Sequence, residues 1–195
     1  MNSKIRKLTG TAMLSAAAYI LMFLEFPIPF LIPPFIKMDF SELPALLASF
    51  AYGPLWGVAV CLVKNLIHLT DSQTGGVGEL SNFLLGAVFV GTSGIVYLKK
   101  HTKSGAVAGS ILGALVMGVA SLFINYYIVY PIYTNFMPME AIIAAYQLIL
   151  PYADSLWKCL IIFNLPFTVI KGLTSVIITM FIYKPLRIFL KGNTV

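Results

Sequence analysis

The chain has 195 residues, of which 59% are hydrophobic and only 10% are charged, and its formal net charge is +6. Several apolar stretches are long enough to cross about 30 Å of hydrocarbon, which a soluble domain of this size does not need. The basic residues flank apolar segments, where they set membrane topology, so the positive charge does not indicate nucleic-acid binding. We therefore expect a single integral membrane domain over residues 1–195 that contacts the lipid bilayer and no nucleic acid.

Charge and turn signals predict the number of membrane spans. Three basic groups, at residues 4–7, 99–103 and 184–191, are expected on the cytoplasmic side by the positive-inside rule. The first helix runs outward and the helix before residue 99 runs inward, so the apolar region between them must cross the membrane an even number of times. The Tyr52-Gly53-Pro54 turn divides that region into two segments, which meets this requirement. The prediction is an all-α membrane protein with six transmembrane helices and cytoplasmic N and C termini. The helices are placed at about 8–26, 41–52, 55–70, 79–98, 105–130 and 157–184, with outer loops at 27–40, 71–78 and 131–156.

The second predicted helix is unusually short. At 1.5 Å per residue its apolar part spans about 17 Å, which is less than the hydrocarbon thickness. We expect this segment to be tilted, or to be partly buried by the neighbouring loop.

Lys171 lies in the middle of the last apolar segment and is the first candidate for a binding residue. Asn164, Thr168 and Ser175 precede or follow it at helical spacings of four, three and four, so all four side chains share one face. A lysine at mid-bilayer costs about 2.5–3.5 kcal/mol on insertion scales and needs a polar partner, a cavity or a ligand. This face therefore predicts a polar site within the membrane.

Other polar residues in apolar segments have more than one interpretation. Asn125 could bridge two helices or contact a ligand. Lys64 could pair with Asp39, Asp71 or Glu79, and His68 is better explained by a structural or loop-anchoring role than by a metal site.

Catalytic patterns are not found in the sequence. It contains no phosphate-binding loop, no His-Glu-x-x-His motif and no pair of acids within one span, and its cysteines lack metal-ligand spacing. We expect no catalytic residues, no metal and no resident cofactor. The available ammonium, amide and hydroxyl groups among aromatic and aliphatic residues suit a small ligand with an apolar body and several carbonyls or hydroxyls.

Two stripes of small residues predict close helix contacts. Gly105, Gly109 and Gly113 favour internal packing, whereas Ala12 and Ala16 on the first helix could face either a neighbouring helix or a partner protein.

Taken together, these residues resemble the riboflavin-specific branch of the substrate-binding S components of energy-coupling factor (ECF) vitamin transporters. Six segments carry the resemblance in order along nearly the whole chain: Asp39-Phe40-Ser41-Glu42-Leu43-Pro44, Tyr52-Gly53-Pro54-Leu55-Trp56-Gly57, Lys64-Asn65-Leu66-Ile67-His68, Gly78-Glu79-Leu80-Ser81-Asn82-Phe83, Asn125-Tyr126-Tyr127 and Pro166-Phe167-Thr168-Val169-Ile170-Lys171-Gly172. Each motif is common alone, but six in order are specific.

The resemblance implies the S-component fold in the bacterial cytoplasmic membrane, with riboflavin, or FMN, as the transported ligand. It also implies a transmembrane coupling subunit and two cytoplasmic ATPase subunits as partners, with Ala12 and Ala16 contacting the coupling subunit. By resemblance, the ligand contacts are Asn125, Thr168 and Lys171, with Phe40, Leu43, Glu79 and Asn82 from the covering loops and the adjoining helix.

The sequence departs from the family pattern at Thr168, where the family usually has asparagine. Asn164 lies one turn earlier on the same face and could supply the amide instead, so we add it to the expected ligand contacts. The alternatives are an S component for another vitamin such as pantothenate, a solitary ion-coupled carrier, or a membrane scaffold that binds no small molecule.

Overall fold

The computed structural model describes the backbone of residues 3–191 and the side chains of residues 4–182. The side chains of the third basic group, Lys184, Arg187 and Lys191, lie outside the described residues. The helices are α1 Ser3–Phe23, α2 Glu42–Tyr52, α3 Pro54–His68, α4 Val77–Lys99, α5 Lys103–Ile124, α6 Tyr130–Tyr133, α7 Met139–Gln147, α8 Leu156–Cys159 and α9 Leu165–Lys191. Wider π-helical turns, Asn125–Val129 and Leu160–Asn164, join α5 to α6 and α8 to α9.

The first and last helices differ most from the sequence-based bounds, and the first helix begins at Ser3, not near residue 8. The first helix ends at Phe23, not near residue 26, because Phe26–Pro27 pairs antiparallel with Lys37–Met38 as strands β1 and β2. The sequence-based bounds place Phe26 in the first helix and the other three strand residues in the outer loop at 27–40. The last helix continues to Lys191, and lysine and arginine at its end are good helix formers.

Three helices in the described part of the chain are long and apolar enough to cross a membrane. They are Val77–Lys99, Lys103–Tyr133 and Leu156–Ile182, the last two running continuously through the π-helical turns. The remaining helices do not meet the same length and hydropathy criteria, because α1 carries charges at its start and α2 and α3 have only 11 and 15 residues.

The short helix α2 lies at the centre of the bundle. Every residue from Glu42 to Phe50 is buried, and α2 packs against α1, α3, α4 and α9. A helix that is apolar on all sides is stable in this position, because no face of it has to meet solvent. Gly53 adopts a φ of 112° and Pro54 opens α3, so the chain reverses direction between α2 and α3 in one residue.

The helices define two ends of the bundle. At the loop end, where residues 27–40 and 72–76 lie, α1 and α3 finish while α2, α4 and α9 begin. At the opposite end, which we call the basic end, the turn at 99–103 joins α4 to α5, and Gly10 of α1 comes close to Tyr52 of α2.

An apolar cluster at the loop end joins residues 27–40 to the connection between α6 and α8. Its buried members include Ile32, Tyr130, Ile142, Tyr146, Leu160 and Phe163. The connection thereby packs onto the start of the last membrane helix instead of extending into solvent.

The glycine stripe of α5 packs against α4. A Cβ at Gly109 would lie 2.8 Å from the carbonyl oxygen of Ser93, and one at Gly113 would lie 2.7 Å from the carbonyl oxygen of Phe89. Only glycine permits this backbone approach, which agrees with the expected packing role of the stripe.

We expect Gly109→Ala to destabilise the protein by about 1–3 kcal/mol, because the added methyl group overlaps a backbone oxygen that cannot rotate away. Gly91→Ala is the matched control, since its Cβ would lie 3.9 Å from Val58. Thermal unfolding in detergent should give a lower midpoint for Gly109→Ala and an unchanged or slightly higher one for Gly91→Ala. Equal midpoints for the two variants would contradict the packing explanation.

Candidate ligand-binding site

A partly enclosed cavity of about 280 Å³ lies at the loop end of the bundle. Its walls come from the end of α1, the loop before α2, the starts of α2 and α4, and the region around the π-helical turns. This volume is close to the lower limit of about 300 Å³ for typical small-molecule sites. The cavity is therefore the main candidate for a ligand site in the described part of the chain.

The structure brings most of the sequence-predicted ligand residues together at this cavity. Of these predicted residues, six line the cavity: Asn125, Asn164, Thr168, Lys171, Glu79 and Asn82. Phe40 and Leu43 lie beside the cavity and do not line it. Phe40 packs against Phe26 at a ring distance of 6.1 Å, and Leu43 is buried in the bundle.

Lys171 is part of a buried cluster of two lysines and two acids. Its Nζ atom lies 2.7 Å from Oδ2 of Asp39 and 3.6 Å from Oε2 of Glu42. Lys64 pairs with Oε1 of Glu42 at 3.2 Å and donates to the hydroxyl of Ser41, which in turn donates to Asp39. Lys64 thus pairs with Glu42 instead of with Asp39, Asp71 or Glu79. Two positive and two negative groups thus offset one another in a region away from water.

Asp39 uses both of its carboxylate oxygens. Oδ1 accepts from the backbone N–H of Ser41 at 2.8 Å as well as from its hydroxyl, and Oδ2 accepts from Lys171 and from Asn82 at 3.2 Å. Burial alone would raise the pKa of this carboxyl, but the charges of Lys171 and Lys64 and these hydrogen bonds outweigh burial. The pKa of Asp39 therefore lies well below its usual range, and the carboxyl is ionised at neutral pH.

Glu42 retains capacity to accept a hydrogen bond at the cavity. Its Oε2 atom is buried, and no donor among the described residues makes a hydrogen bond to it. Lys171 is near enough to attract it but too far for a hydrogen bond. A ligand N–H or O–H group could satisfy this oxygen.

Glu79 lines the cavity but is already committed to holding the loop before α4. His68 shares a hydrogen bond with Oε1 of Glu79 at 2.9 Å, while Ser72 and Thr74 donate to Oε2 at 2.8 and 3.3 Å. These contacts attach the loop to the end of α3 and give His68 the loop-anchoring position expected from the sequence.

The two π-helical turns carry Asn125 and Asn164 at the cavity wall. Asn125 opens the first turn and accepts from Ser81 at 3.3 Å, and Asn164 closes the second. In each case a proline, Pro131 or Pro166, follows two residues after the turn. Its ring cannot fit beside the carbonyl four residues earlier in a regular helix, and widening the helix relieves that clash. These prolines are the sequence signal that could have predicted the π-helical turns.

Several cavity residues were not identified from the sequence. The apolar and aromatic part of the wall is formed by Met22, Phe35, Leu85, Met117, Val129, Tyr130, Tyr133 and Phe167. Lys37 bridges the covering segments, with its Nζ atom 2.6 Å from Glu25 and 2.8 Å from Gln73. The sequence pattern does not indicate this role of Lys37, because Glu25 lies across the short hairpin and Gln73 lies in the loop before α4.

Three of the residues singled out in the sequence do not line the cavity. Ser175 donates to the backbone carbonyl of Lys171 at 3.0 Å, which satisfies its hydroxyl within the helix. Ala12 and Ala16 are exposed on one side of α1. Their small side chains leave a surface that a second helix can approach closely.

The chain is similar in sequence to known proteins. The family model for the substrate-specific component of ECF transporters matches residues 6–183. The riboflavin transporter RibU of Staphylococcus aureus (strain TCH60) is 36% identical over 186 residues, covering 95% of this chain and 93% of that protein. The riboflavin transporter FmnP of Bacillus subtilis (strain 168) is 32% identical over 188 residues, covering 94% and 93%.

The same relationship appears in three dimensions. The solved S component of a bacterial ECF transporter matches with a TM-score of 0.77 and 34% identity, covering 97% of this chain and 99% of that chain. The family and the long apolar helices make this chain a multi-pass protein of the cell membrane. It belongs to the family of substrate-specific components of ECF transporters.

Proposed function

We propose that this chain binds riboflavin in the cavity at the loop end and mediates its uptake as the substrate-binding subunit of an ECF-type transporter. The chain itself catalyses no reaction, and flavin is its cargo. Riboflavin has a flat aromatic ring system with carbonyls and a ring N–H at one edge and a chain of hydroxyls at the other. It needs an apolar wall and dispersed hydrogen-bonding groups, and both are present here.

The observation that carries this proposal is the convergence of Asn125 with Asn164, Thr168 and Lys171 on one cavity. The first comes from the end of α5 and the others from the start of α9, two helices that pack side by side. Together they present amide, hydroxyl and ammonium groups beside Tyr133 and other aromatic side chains. Relatives that are riboflavin transporters support flavin over other ligands of similar shape.

We further propose six membrane crossings with both termini in the cytoplasm. The first two basic groups lie at the basic end, and the backbone of α9 runs towards the same end. Near the loop end, exposed Phe123 and Tyr126 each contact exposed Trp157, and aromatic residues of this kind are enriched at membrane interfaces. This orientation opens the cavity to the outside of the cell.

Transport also requires partners, and we propose a transmembrane coupling subunit with two cytoplasmic ATPases. The exposed stripe of Ala12 and Ala16 is the proposed contact with the coupling subunit. Small residues at this spacing let helices pack closely within a bilayer, where apolar side chains alone give little preference for protein over lipid.

The direct test of ligand identity is an absorbance spectrum of the detergent-purified chain, followed by flavin titration after bound ligand is removed. We expect a yellow protein, and saturable riboflavin binding at one per chain after removal. FMN titrated in parallel establishes whether a phosphate is accepted. A colourless chain that binds pantothenate but no flavin would reject riboflavin while keeping the family, and transport into liposomes without ATPases would indicate an ion-coupled carrier instead.

Lys171→Ala should weaken riboflavin binding by more than ~10-fold, because the ammonium is lost from the cavity and Asp39 is left buried without its main partner. Lys158→Ala is the matched control. This lysine precedes α9 but is exposed, and among the described residues its ion pair is with exposed Asp154. Fluorescence titration of each purified variant gives the two affinities.

A second variant separates binding from folding. Asp39→Asn combined with Lys171→Met removes both charges of the pair, so neither is left unpaired and the thermal stability should recover towards that of the unmodified chain. Riboflavin affinity should stay low. Unchanged affinity in both Lys171 variants would show that this lysine is purely structural.

Changing Ala12 and Ala16 to tryptophan should leave riboflavin affinity unchanged and abolish uptake in cells, because the bulky rings block the approach of the coupling subunit. Ile111→Trp with Leu115→Trp is the control at the same spacing. These residues are exposed on α5, which packs against α4 and α9, whereas α1 packs against α2 and α3. Retained uptake in the α1 variant, measured with labelled riboflavin, would reject this contact.

A further inference from the structure

Three buried side chains form a closed ring of hydrogen bonds at the cavity wall. The hydroxyl of Tyr146 donates to Oδ1 of Asn164 at 2.6 Å, and Nδ2 of Asn164 donates to the hydroxyl of Tyr130 at 3.4 Å. The two tyrosine hydroxyls also contact each other. Exposed fractions are 0% for Tyr146, 4% for Tyr130 and 5% for Asn164.

The direction of each bond follows from the number of protons available. Tyr146 has one hydroxyl proton and uses it for the carbonyl of Asn164. The proton between the two tyrosines must therefore come from Tyr130, so all three bonds run in one sense around the ring. The opposite amide orientation would place an N–H donor only 2.6 Å from Tyr146, which is shorter than N–H bonds to oxygen normally are.

The ring joins three parts of the chain that lie at the loop end. Tyr130 lies in α6, Tyr146 lies in α7, and Asn164 ends the π-helical turn before α9. Tyr130 and Asn164 line the cavity, but Tyr146 does not. Apolar and aromatic side chains surround Tyr146, including Phe163 at a ring distance of 5.3 Å and Phe35 at 6.1 Å.

In such surroundings a phenylalanine would fill the same space without a hydroxyl to satisfy. The Tyr146 hydroxyl therefore has a role beyond filling the core. A carboxamide has two N–H donors and two carbonyl lone pairs, and the ring uses one of each. One N–H and one lone pair of Asn164 remain for a ligand, in an orientation set by the two tyrosines.

We propose that Tyr146 is a positioning residue, which acts through this ring to hold the carboxamide of Asn164 in one orientation at the cavity wall. Its effect on flavin binding rests on the proposed function, in which Asn164 contacts the ligand. The remaining N–H suits a ligand carbonyl, so a carbonyl-bearing ring system binds better when the amide is held. The connection between α6 and α8 thus contributes to ligand recognition without lining the site.

The test is a double-mutant cycle of Tyr146→Phe and Asn164→Ala in the full chain, read by riboflavin titration. Tyr146→Phe alone should weaken binding by about tenfold, the size expected for one lost hydrogen bond within a network. In the Asn164→Ala background the same change should alter affinity by less than about twofold, because nothing is left to position. Tyr152→Phe, on the same connection but 82% exposed, is the control and should bind normally.

Two results would overturn the proposal: an unchanged affinity in Tyr146→Phe, or an undiminished loss in the Asn164→Ala background. The same cycle read by thermal unfolding of the ligand-free protein examines the ring without flavin. There the loss in the double variant should be smaller than the summed losses of the single variants. If the unmodified chain binds no riboflavin, the flavin assignment fails, but a smaller-than-summed loss of thermal stability still supports the ring. If the losses of thermal stability are additive, the ring is rejected as well.

Discussion

The ion pair between Lys171 and Asp39 is the interaction on which the site depends. It joins residues 132 positions apart, at a distance of 2.7 Å, and ties the last membrane helix to the loop before α2. A lone charge at this depth would be costly, so the lysine cannot be stable in α9 unless that loop folds back over it. Lys64 and Glu42 extend the same cluster to α3 and α2. Separating α9, the loop before α2, α2 and α3 would leave a buried charge unpaired. The cluster therefore holds these four elements together on one side of the cavity.

The short helix α2 makes this arrangement possible. Because it is buried on all sides, it can carry Glu42 into the interior at its first turn, beside both lysines. Its other end is joined to α3 by the turn at Gly53, and small residues in α4 and α5 let the surrounding helices pack tightly. The binding groups, in contrast, are placed where helices end and loops begin.

Several hydrogen-bonding side chains of the cavity also make hydrogen bonds to neighbouring protein groups. Asp39 is held by Ser41 and Asn82, and Glu79 is held by His68 and the residues of its loop. Asn164 is held by two tyrosines. Each of these three side chains thus has partners that orient it, which lowers the conformational entropy a ligand must remove on binding.

The sequence by itself determined the membrane class, the helical segments and the shared face of Asn164, Thr168 and Lys171. Hydropathy and a 3.6-residue period are local properties, and the α-helix from Leu165 onward is regular, so these predictions needed no knowledge of the fold. Only the tertiary structure decided which acid pairs with Lys64, that Lys37 bridges two covering loops, and that Tyr146 reaches Asn164. Those contacts join segments far apart in the chain, and their geometry arises from how the helices pack, which a local pattern does not record.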